Sequence, residues 1–275
     1  MKYTIGISTY NRAPAWRHAC LWKSIINQNL DDCEIIVVDD GSDDDTLDAA
    51  CDLVHDRTPP CPVRVFQCQR NLMRRTSALA QNIMFKEARG DYFISMDDDG
   101  VMAHGWFDWL RHCDHDNLLL YGEIVYVSEG TTVRDQRTKW CKPGLSILPP
   151  SLGLTWGALW CAPLAAIRAV GGHDMEMLQY RGSDCRLGFC INKLIPALFA
   201  METPFTFVHD GLSAYRDALE SKDPEKLNDY MKITCSPSLN GRFPIKRICN
   251  GGAPFFANGA LSEHYKEVVN VAGCV

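Results

Sequence analysis

Glu34-Ile35-Ile36-Val37-Val38-Asp39-Asp40-Gly41-Ser42 is the stretch from which the fold can be read. Four consecutive β-branched residues, Ile35 to Val38, have the length and character of a strand buried on both faces. The acidic pair and Gly41-Ser42 that follow are turn chemistry. Upstream, Tyr3 to Thr9 reads as a short apolar strand, and Pro14 to Gln28 has helical spacing with Trp16, Cys20, Ile25 and Ile26 facing inward. Downstream, Asp44 or Asp45 caps a helix running to about Val54, and Pro59, Pro60 and Pro62 break the chain. Val63 to Cys68 is a third strand and Arg74 to Ala88 a helix closed by Gly90. Tyr92 to Met96 is a fourth strand, which runs straight into Asp97-Asp98-Asp99-Gly100.

Strands alternating with helices imply right-handed crossovers and an α/β fold with a mostly parallel, Rossmann-like central sheet flanked by helices. Ligands of such sheets bind outside the carboxyl ends of the strands. Three strand ends carry polar groups here: Ser8-Thr9-Tyr10-Asn11, Asp39-Asp40 and Asp97 to Asp99. On one edge these three clusters make a single site.

The second half is less regular. Leu118 to Val127 reads as one or two strands. Residues 128–150, with Gly130, Pro143, Gly144, Pro149 and Pro150, read as a mobile loop near the site. Trp156 and Trp160 read as core. Pro163 to Val170 forms a helix stopped by Gly171-Gly172, and Asp184 opens another that runs to Lys193. Phe205 to Val208 is a strand leading into His209. His112 and His115 read as a solvated helix face rather than a metal pair. The tail from about Leu212 is polar, with weak helices over Pro224 to Lys232 and Leu261 to Val269.

Composition excludes several classes. The 275 residues are 46% apolar and 23% charged, with a net charge of −6, which argues against disorder and against bulk nucleic-acid binding. No apolar run is long enough to span a bilayer, and Met1 to Gly6 has no signal-peptide character. The expectation is a cytoplasmic protein, or one of the host cytoplasm if viral. The 13 cysteines lack zinc-site spacing and read as free thiols, mostly small buried apolar residues. No G-x-G-x-x-G, G-x-x-x-x-G-K-[ST] or G-x-S-x-G motif occurs. An acidic rim without a glycine cradle points to phosphates neutralised by a divalent cation, for which hard oxygen ligands suit Mg²⁺ or Mn²⁺.

The ordered set Ile7-Ser8-Thr9-Tyr10-Asn11-Arg12, Val37-Val38-Asp39-Asp40-Gly41-Ser42-Asp43-Asp44, Ala80-Gln81-Asn82 with Gly90-Asp91-Tyr92, and Met96-Asp97-Asp98-Asp99 resembles family 2 glycosyltransferases of the GT-A fold. Gly171-Gly172-His173-Asp174 and Gly182-Ser183-Asp184-Cys185-Arg186-Leu187 are similar to that superfamily's acceptor-side segment. The resemblance spans about residues 3–210. It implies a catalytic domain over 1–211, with a nucleotide-binding half over about 1–100 and an acceptor-binding half over 101–211, and a C-terminal extension over 212–275.

The resemblance also implies roles. Ser8, Thr9 and Tyr10 match the segment that holds the nucleotide base, with Tyr10 available for stacking, and Asp40 matches the acid that accepts a hydrogen bond from uracil. Arg12 and Asp98 fall within the donor site. Arg74 or Arg75 stands where a basic side chain meets the diphosphate. Asp97 and Asp99 form the D-x-D pair, with Asp97 toward the ribose or the cation and Asp99 on the cation. His209 matches a third metal ligand, and Asp184 matches the general base of inverting enzymes. The implied activity is transfer of a sugar from a UDP-linked donor to an acceptor hydroxyl, assisted by Mn²⁺ or Mg²⁺. Two departures stand out. Gln81 occupies a position that is often Arg, and Gly182-Ser183-Asp184 keeps only one acid of a common Glu-Asp pair, so Asp174 or Glu176 is the next candidate base. The competing readings are a nucleotidyltransferase, which would want a glycine-rich loop in place of Tyr10-Asn11-Arg12-Ala13-Pro14, and an inactive nucleotide-sugar-binding module. The acceptor (glycan, protein, lipid, small molecule or modified nucleic-acid base) is not written in the sequence.

Overall fold

The computed structural model describes residues 1–69, 77–128, 131–134, 141–148, 158–173, 183–210 and 265–271. The nucleus is four parallel strands: β1 (Tyr3–Thr9), β2 (Cys33–Asp39), β3 (Val63–Cys68) and β4 (Tyr92–Met96). Their spatial order is β3-β2-β1-β4. The chain winds outward from β1 to β3 and then returns to the other side of β1. The switch point lies between β1 and β4, and sheets of this kind bind their ligands outside the carboxyl ends of the strands there. Ile35 to Val38 are fully buried because β2 is flanked by β1 and β3 and covered by helices.

Beyond β4 the sheet continues through β9 (Leu159–Pro163), β6 (Leu119–Ser128), β10 (Ala197–Met201) and β8 (Gly144–Leu148). β9 and β8 run antiparallel to their neighbours, and β6 and β10 run with the nucleus. The expected α/β architecture and parallel nucleus are therefore observed, and the sheet as a whole is mixed. A smaller sheet sets β11 (Thr206–Asp210) between β5 (Gly100–Met102), antiparallel, and β6, parallel, with β7 (Thr131–Arg134) on the far side of β6.

Several elements depart from the sequence reading. The helix expected over Pro14 to Gln28 is two helices, α1 (Ala13–His18) and α2 (Cys20–Ile26). Ala19 separates them in the left-handed region, φ 58°, and its N–H closes α1 on Ala15 and Trp16. This kink turns both Trp16 and Trp22 into the core, with ring centroids 6.3 Å apart. The expected Asp cap is shared at α3 (Thr46–Asp56): Asp45 takes the cap position, while Asp44 Oδ1 accepts the Thr46 N–H at 3.0 Å. α4 is described from Ala78 to Glu87, and the part expected from Arg74 to Thr76 lies outside the described residues. The expected loop over 128–150 contains β7 and β8, each recruited by a neighbouring strand. α5 (Trp106–His112) ends at His112, so His115 is not on a solvated face. His115 is 2% exposed, and its ring nitrogens meet the Tyr3 hydroxyl at 3.2 Å and the Cys113 carbonyl at 2.7 Å. Trp160 is buried as expected, whereas Trp156 lies outside the described residues. The nine described cysteines are all free thiols; Cys33, Cys61, Cys68 and Cys161 are buried and Cys20 is exposed. α6 (Leu164–Ala169) and α7 (Ser183–Asn192) lie where the sequence put helices.

The tail differs most. Where a weak helix was expected near the end, β12 (Tyr265–Val271) is a strand paired antiparallel to β3. The open edge of β3 offers ladder partners that an isolated segment lacks, and Val268, Val269 and Val271 suit a strand. The helix expected over Pro224 to Lys232 lies outside the described residues. Tyr265 donates its hydroxyl to Glu87, joining β12 to a buried ionic network. Arg64 Nη2 donates to Glu34 Oε2 at 2.9 Å, and Arg64 Nη1 lies 3.2 Å from Glu87 Oε2. Glu34 also accepts the Thr4 hydroxyl at 2.8 Å and the Arg89 N–H at 2.6 Å. Among the described residues no helix is long and apolar enough to cross a membrane.

Removing one partner of a buried ion pair strands the other charge. Arg64→Ala is expected to destabilise the protein by about 3 kcal/mol, the low end for such a loss because Glu34 keeps two other donors. A denaturant midpoint unchanged from the parent would show that the network contributes nothing.

Candidate active site

The site is built where β1, β2 and β4 end. The strand register places Thr9 beside Asp39 and Ile7 beside Met96, so the three polar strand ends share one edge. The β1 and β2 loops are stitched together. Asp40 N–H donates to Thr9 O at 2.8 Å, Asn11 N–H to Ser42 Oγ at 2.9 Å, and Asp43 N–H to Asn11 Oδ1 at 2.8 Å. Asp39 is fully buried and accepts the Ser42 N–H at 3.2 Å together with the Ser42 hydroxyl, so it holds the turn. Asp40 is left half-buried at the rim. Burial pushes its carboxyl up to about 7; the Cys68 thiol, donating a hydrogen bond to it, opposes that rise, and the charge on Asp39 adds to it. Ser8 and Tyr10 sit half-buried on the same edge.

The acidic triplet after β4 is divided by its contacts. Asp98 is tied inward: the Trp16 indole N–H donates to Thr9 Oγ1 at 2.9 Å, and the Thr9 hydroxyl donates to Asp98 Oδ2. Burial raises the Asp98 carboxyl to about 6, against the Thr9 hydrogen bond and the Arg12 charge, which lower it. Arg12 reaches across with Nη2 3.2 Å from Asp99 Oδ2 and Nε 3.8 Å from Asp98 Oδ1.

Asp97 and Asp99 alternate with Asp98, and His209 joins them. One ligand atom from each of Asp97, Asp99 and His209 lies within 4.8 Å of the others. Gly100 is what permits this. It pairs with His209 between β5 and β11, and a Cβ at Gly100 would meet Phe207 Cε1 at 2.3 Å and Val208 O at 2.7 Å. His209 is also held by parallel stacking on Tyr126, with centroids 5.1 Å apart and planes 7° from parallel. Its Nδ1 stands 3.1 Å from Asp99 Oδ1, yet this buried oxygen has no aligned hydrogen-bond donor. Burial would raise the Asp99 carboxyl, but the neighbouring imidazole and Arg12 outweigh it and hold it below the usual range. Burial and the Asp99 charge push Asp97 up. Burial alone would depress His209, but Asp99 and Asp97 raise it. Two carboxylates and an imidazole with their ligand atoms this close are a donor set that fits Mn²⁺ or Mg²⁺.

Asp184 stands in the first turn of α7 with its side chain 28% exposed. Burial raises its carboxyl to about 6, and its Oδ1 is buried without a hydrogen-bond partner. Its charge reaches Asp97 and raises that carboxyl. The structure thus brings together Ser8, Thr9, Tyr10, Arg12, Asp40, Asp97, Asp98, Asp99, His209 and Asp184. Arg74, Arg75, Asp174 and Glu176 lie outside the described residues. Sequence reasoning passed over Trp16, Cys68, Gly100 and Tyr126, which aim the polar groups. Only Gly100, directly after the acidic triplet, carried a local signal.

Comparison with known proteins agrees with this architecture. The model of the family described as Glycosyl transferase family 2 matches residues 4–161. No curated protein sequence matches the chain. S. aureus TarS 1-349, solved with UDP-GlcNAc, superposes with a TM-score of 0.61 at 16% identity, covering 89% of this chain and 68% of that one. The mannosyltransferase PcManGT from Pyrobaculum calidifontis, solved with GDP-Man and Mn²⁺, gives 0.55 at 17% identity, covering 82% and 61%. GalNAc-T7, solved with UDP, GalNAc and Mn²⁺, gives 0.56 at 16% identity, covering 84% and 48%. The chain thus spans between 48% and 68% of the length of these three structures, and likeness at such identity speaks to the fold alone.

Gly100→Ala is expected to cost about 1–3 kcal/mol, because backbone and a packed ring both crowd the added methyl. Thermal unfolding measures it, and an unchanged melting temperature would mean that β5 and β11 are not so closely apposed.

Proposed function

The chain belongs to glycosyl transferase family 2, and from that premise we propose that it transfers a sugar from a nucleoside-diphosphate donor, UDP-linked, to an acceptor hydroxyl with inversion. The observation that carries the proposal is the convergence of Asp97, Asp99 and His209, whose ligand atoms lie within 4.8 Å of one another at the carboxyl edge of the sheet. Asp97, Asp99 and His209 would hold the Mn²⁺ or Mg²⁺. When bound, that cation supplies positive charge to the diphosphate leaving group.

The chain's own groups account for the remaining tasks. Asp40 at the rim of the β2 loop accepts from the base, and its carboxyl, pushed up to about 7, suits a hydrogen-bonded partner better than open solvent. UDP bound to TarS and to GalNAc-T7 supports the same donor here. Tyr10 supplies a ring to the base and Ser8 a hydroxyl. Arg12, already paired with Asp98 and Asp99, brings a guanidinium to the phosphate side. Arg75 or Arg74 adds a second cation there. Asp184 takes the acceptor's proton: its buried Oδ1 has no donor to share its lone pairs with, and its carboxyl at about 6 is ionised yet basic near neutrality. A single base with no covalent intermediate gives inversion. Residues 1–211 form the catalytic domain in this reading, with 212–275 as an extension from which β12 closes the sheet edge.

Thermal-shift screening of nucleotide sugars tests the donor. Mn²⁺ with a UDP-sugar is expected to raise the melting temperature more than either alone. Asp99→Ala is expected to lose that joint shift and keep the fold. A full joint shift in Asp99→Ala would refute the metal site.

The base assignment has a signature in pH. Deprotonated Asp184 is the active form, so turnover is expected to rise with pH, reach half-maximum near about 6 and level off above. Asp184→Asn is expected to bind donor normally and lose turnover by about 100-fold or more. Parental turnover in that variant would exclude Asp184 as the base.

A further inference from the structure

We propose that Gln81 and His173 form a positioning pair for Asp184, in which the Gln81 side-chain carbonyl keeps His173 protonated at Nε2 and so sets the polar edge of the ring that lies beside the Asp184 carboxylate. The inference rests on Asp184 being the base, and it names the residues that aim it.

The pair is buried and clamped. Gln81, Asn82 and His173 are 2%, 0% and 1% exposed. Asn82 binds the His173 backbone reciprocally: Oδ1 accepts the N–H at 2.8 Å, and Nδ2 donates to the carbonyl at 2.9 Å. This fixes the turn after α6, where Gly171 and Gly172 take φ of 82° and 70°, onto α4. The His173 ring stacks on Phe85 with centroids 5.6 Å apart and planes 8° from parallel. Position and plane of the ring are therefore set before its nitrogens are considered.

The nitrogens then follow from their partners. His173 Nε2 hydrogen-bonds Gln81 Oε1, which can only accept, so Nε2 carries the proton. Asp184 Oδ1 lies 3.8 Å from the same Nε2. With the opposite tautomer a ring lone pair would face that carboxylate, which is electrostatically unfavourable. With this tautomer the N–H is given to Gln81 Oε1, and its positive end still lies beside the carboxylate, 3.8 Å from Nε2 to Oδ1. The separation is too long for a full hydrogen bond, so the oxygen is oriented without its lone pair being consumed. That is what a group waiting to take a proton from a substrate requires. Among the described residues Asp97 at the end of β4 also interacts electrostatically with Asp184, as a like charge.

The test uses the full chain with Mn²⁺, following nucleotide release to water from UDP-GlcNAc, UDP-Glc, UDP-Gal and GDP-Man. Gln81→Met removes the carbonyl at similar length, and His173→Phe keeps the ring on Phe85 without the N–H. Each is expected to lower kcat by about 10- to 100-fold, the scale of a misaligned catalytic group. Donor KM is expected to stay within about 2-fold, since the pair acts on the base and not on donor binding. His173→Gln, whose amide N–H reaches the same point, is expected to recover part of kcat. Loss of activity in Asp184→Asn with parental kcat in both Gln81→Met and His173→Phe would overturn the positioning pair and leave the base reading standing. Parental kcat in Asp184→Asn would sink the base reading itself. Nitrogen-15 NMR of the histidine-labelled parent, with His173 assigned through its contacts to the Phe85 ring, decides the tautomer without any variant. A protonated Nε2 supports the proposal, and an unprotonated Nε2 overturns it even if no donor turns over.

Discussion

Carboxylates crowded at the carboxyl edge of the sheet are the constraint around which the molecule is arranged. Asp97, Asp98 and Asp99 are consecutive and largely enclosed, and Asp184 adds a further negative charge. Charges of one sign in a poorly solvated crevice repel, and each loses hydration. The fold answers each differently. Asp98 is bound into the Trp16–Thr9 hydrogen-bond chain. Asp99 is flanked by Arg12 and His209 and stays ionised. Asp97 and Asp184 are left with raised carboxyls. The residual imbalance favours a cation, which is the physical basis for reading the crevice as a metal-assisted transferase site.

Rigid scaffolding makes this arrangement possible. Loops after β1 and β2 are joined by backbone and short side-chain hydrogen bonds, so their polar tips move as one body. The small sheet does the same for His209, because the β5–β11 register is closed by Gly100 and the ring is packed on Tyr126. The two halves meet through α4, whose Gln81 and Asn82 grip the turn carrying His173.

The four strands of the nucleus were legible in the first hundred residues. Val63 to Cys68 and Tyr92 to Met96 are strands with the expected ends, because buried parallel strands advertise themselves as short apolar runs between turn signals. Errors collected where an element owes its form to a distant partner. Ala19 breaks a continuous helical pattern with a left-handed residue that no local composition demanded. His115 looked solvated but closes a contact to Tyr3, 112 residues away. Tyr265 to Val271 looked weakly helical and is a strand because β3 has an open edge. For the site, residue types in order identified the acids, while Trp16, Cys68 and Tyr126 gave no sign, since core aromatics and thiols look alike wherever they sit.

Strand–helix alternation and the positions of Asp39-Asp40 and Asp97 to Asp99 were determined by the sequence alone, because periodicity and turn chemistry are local properties. Which oxygen of each carboxylate is satisfied, which side of His173 carries its proton, and that His209 lands opposite Gly100 were decided only in the tertiary structure. Those outcomes depend on pairing register between segments about a hundred residues apart, and register is a property of the packed sheet rather than of any one segment.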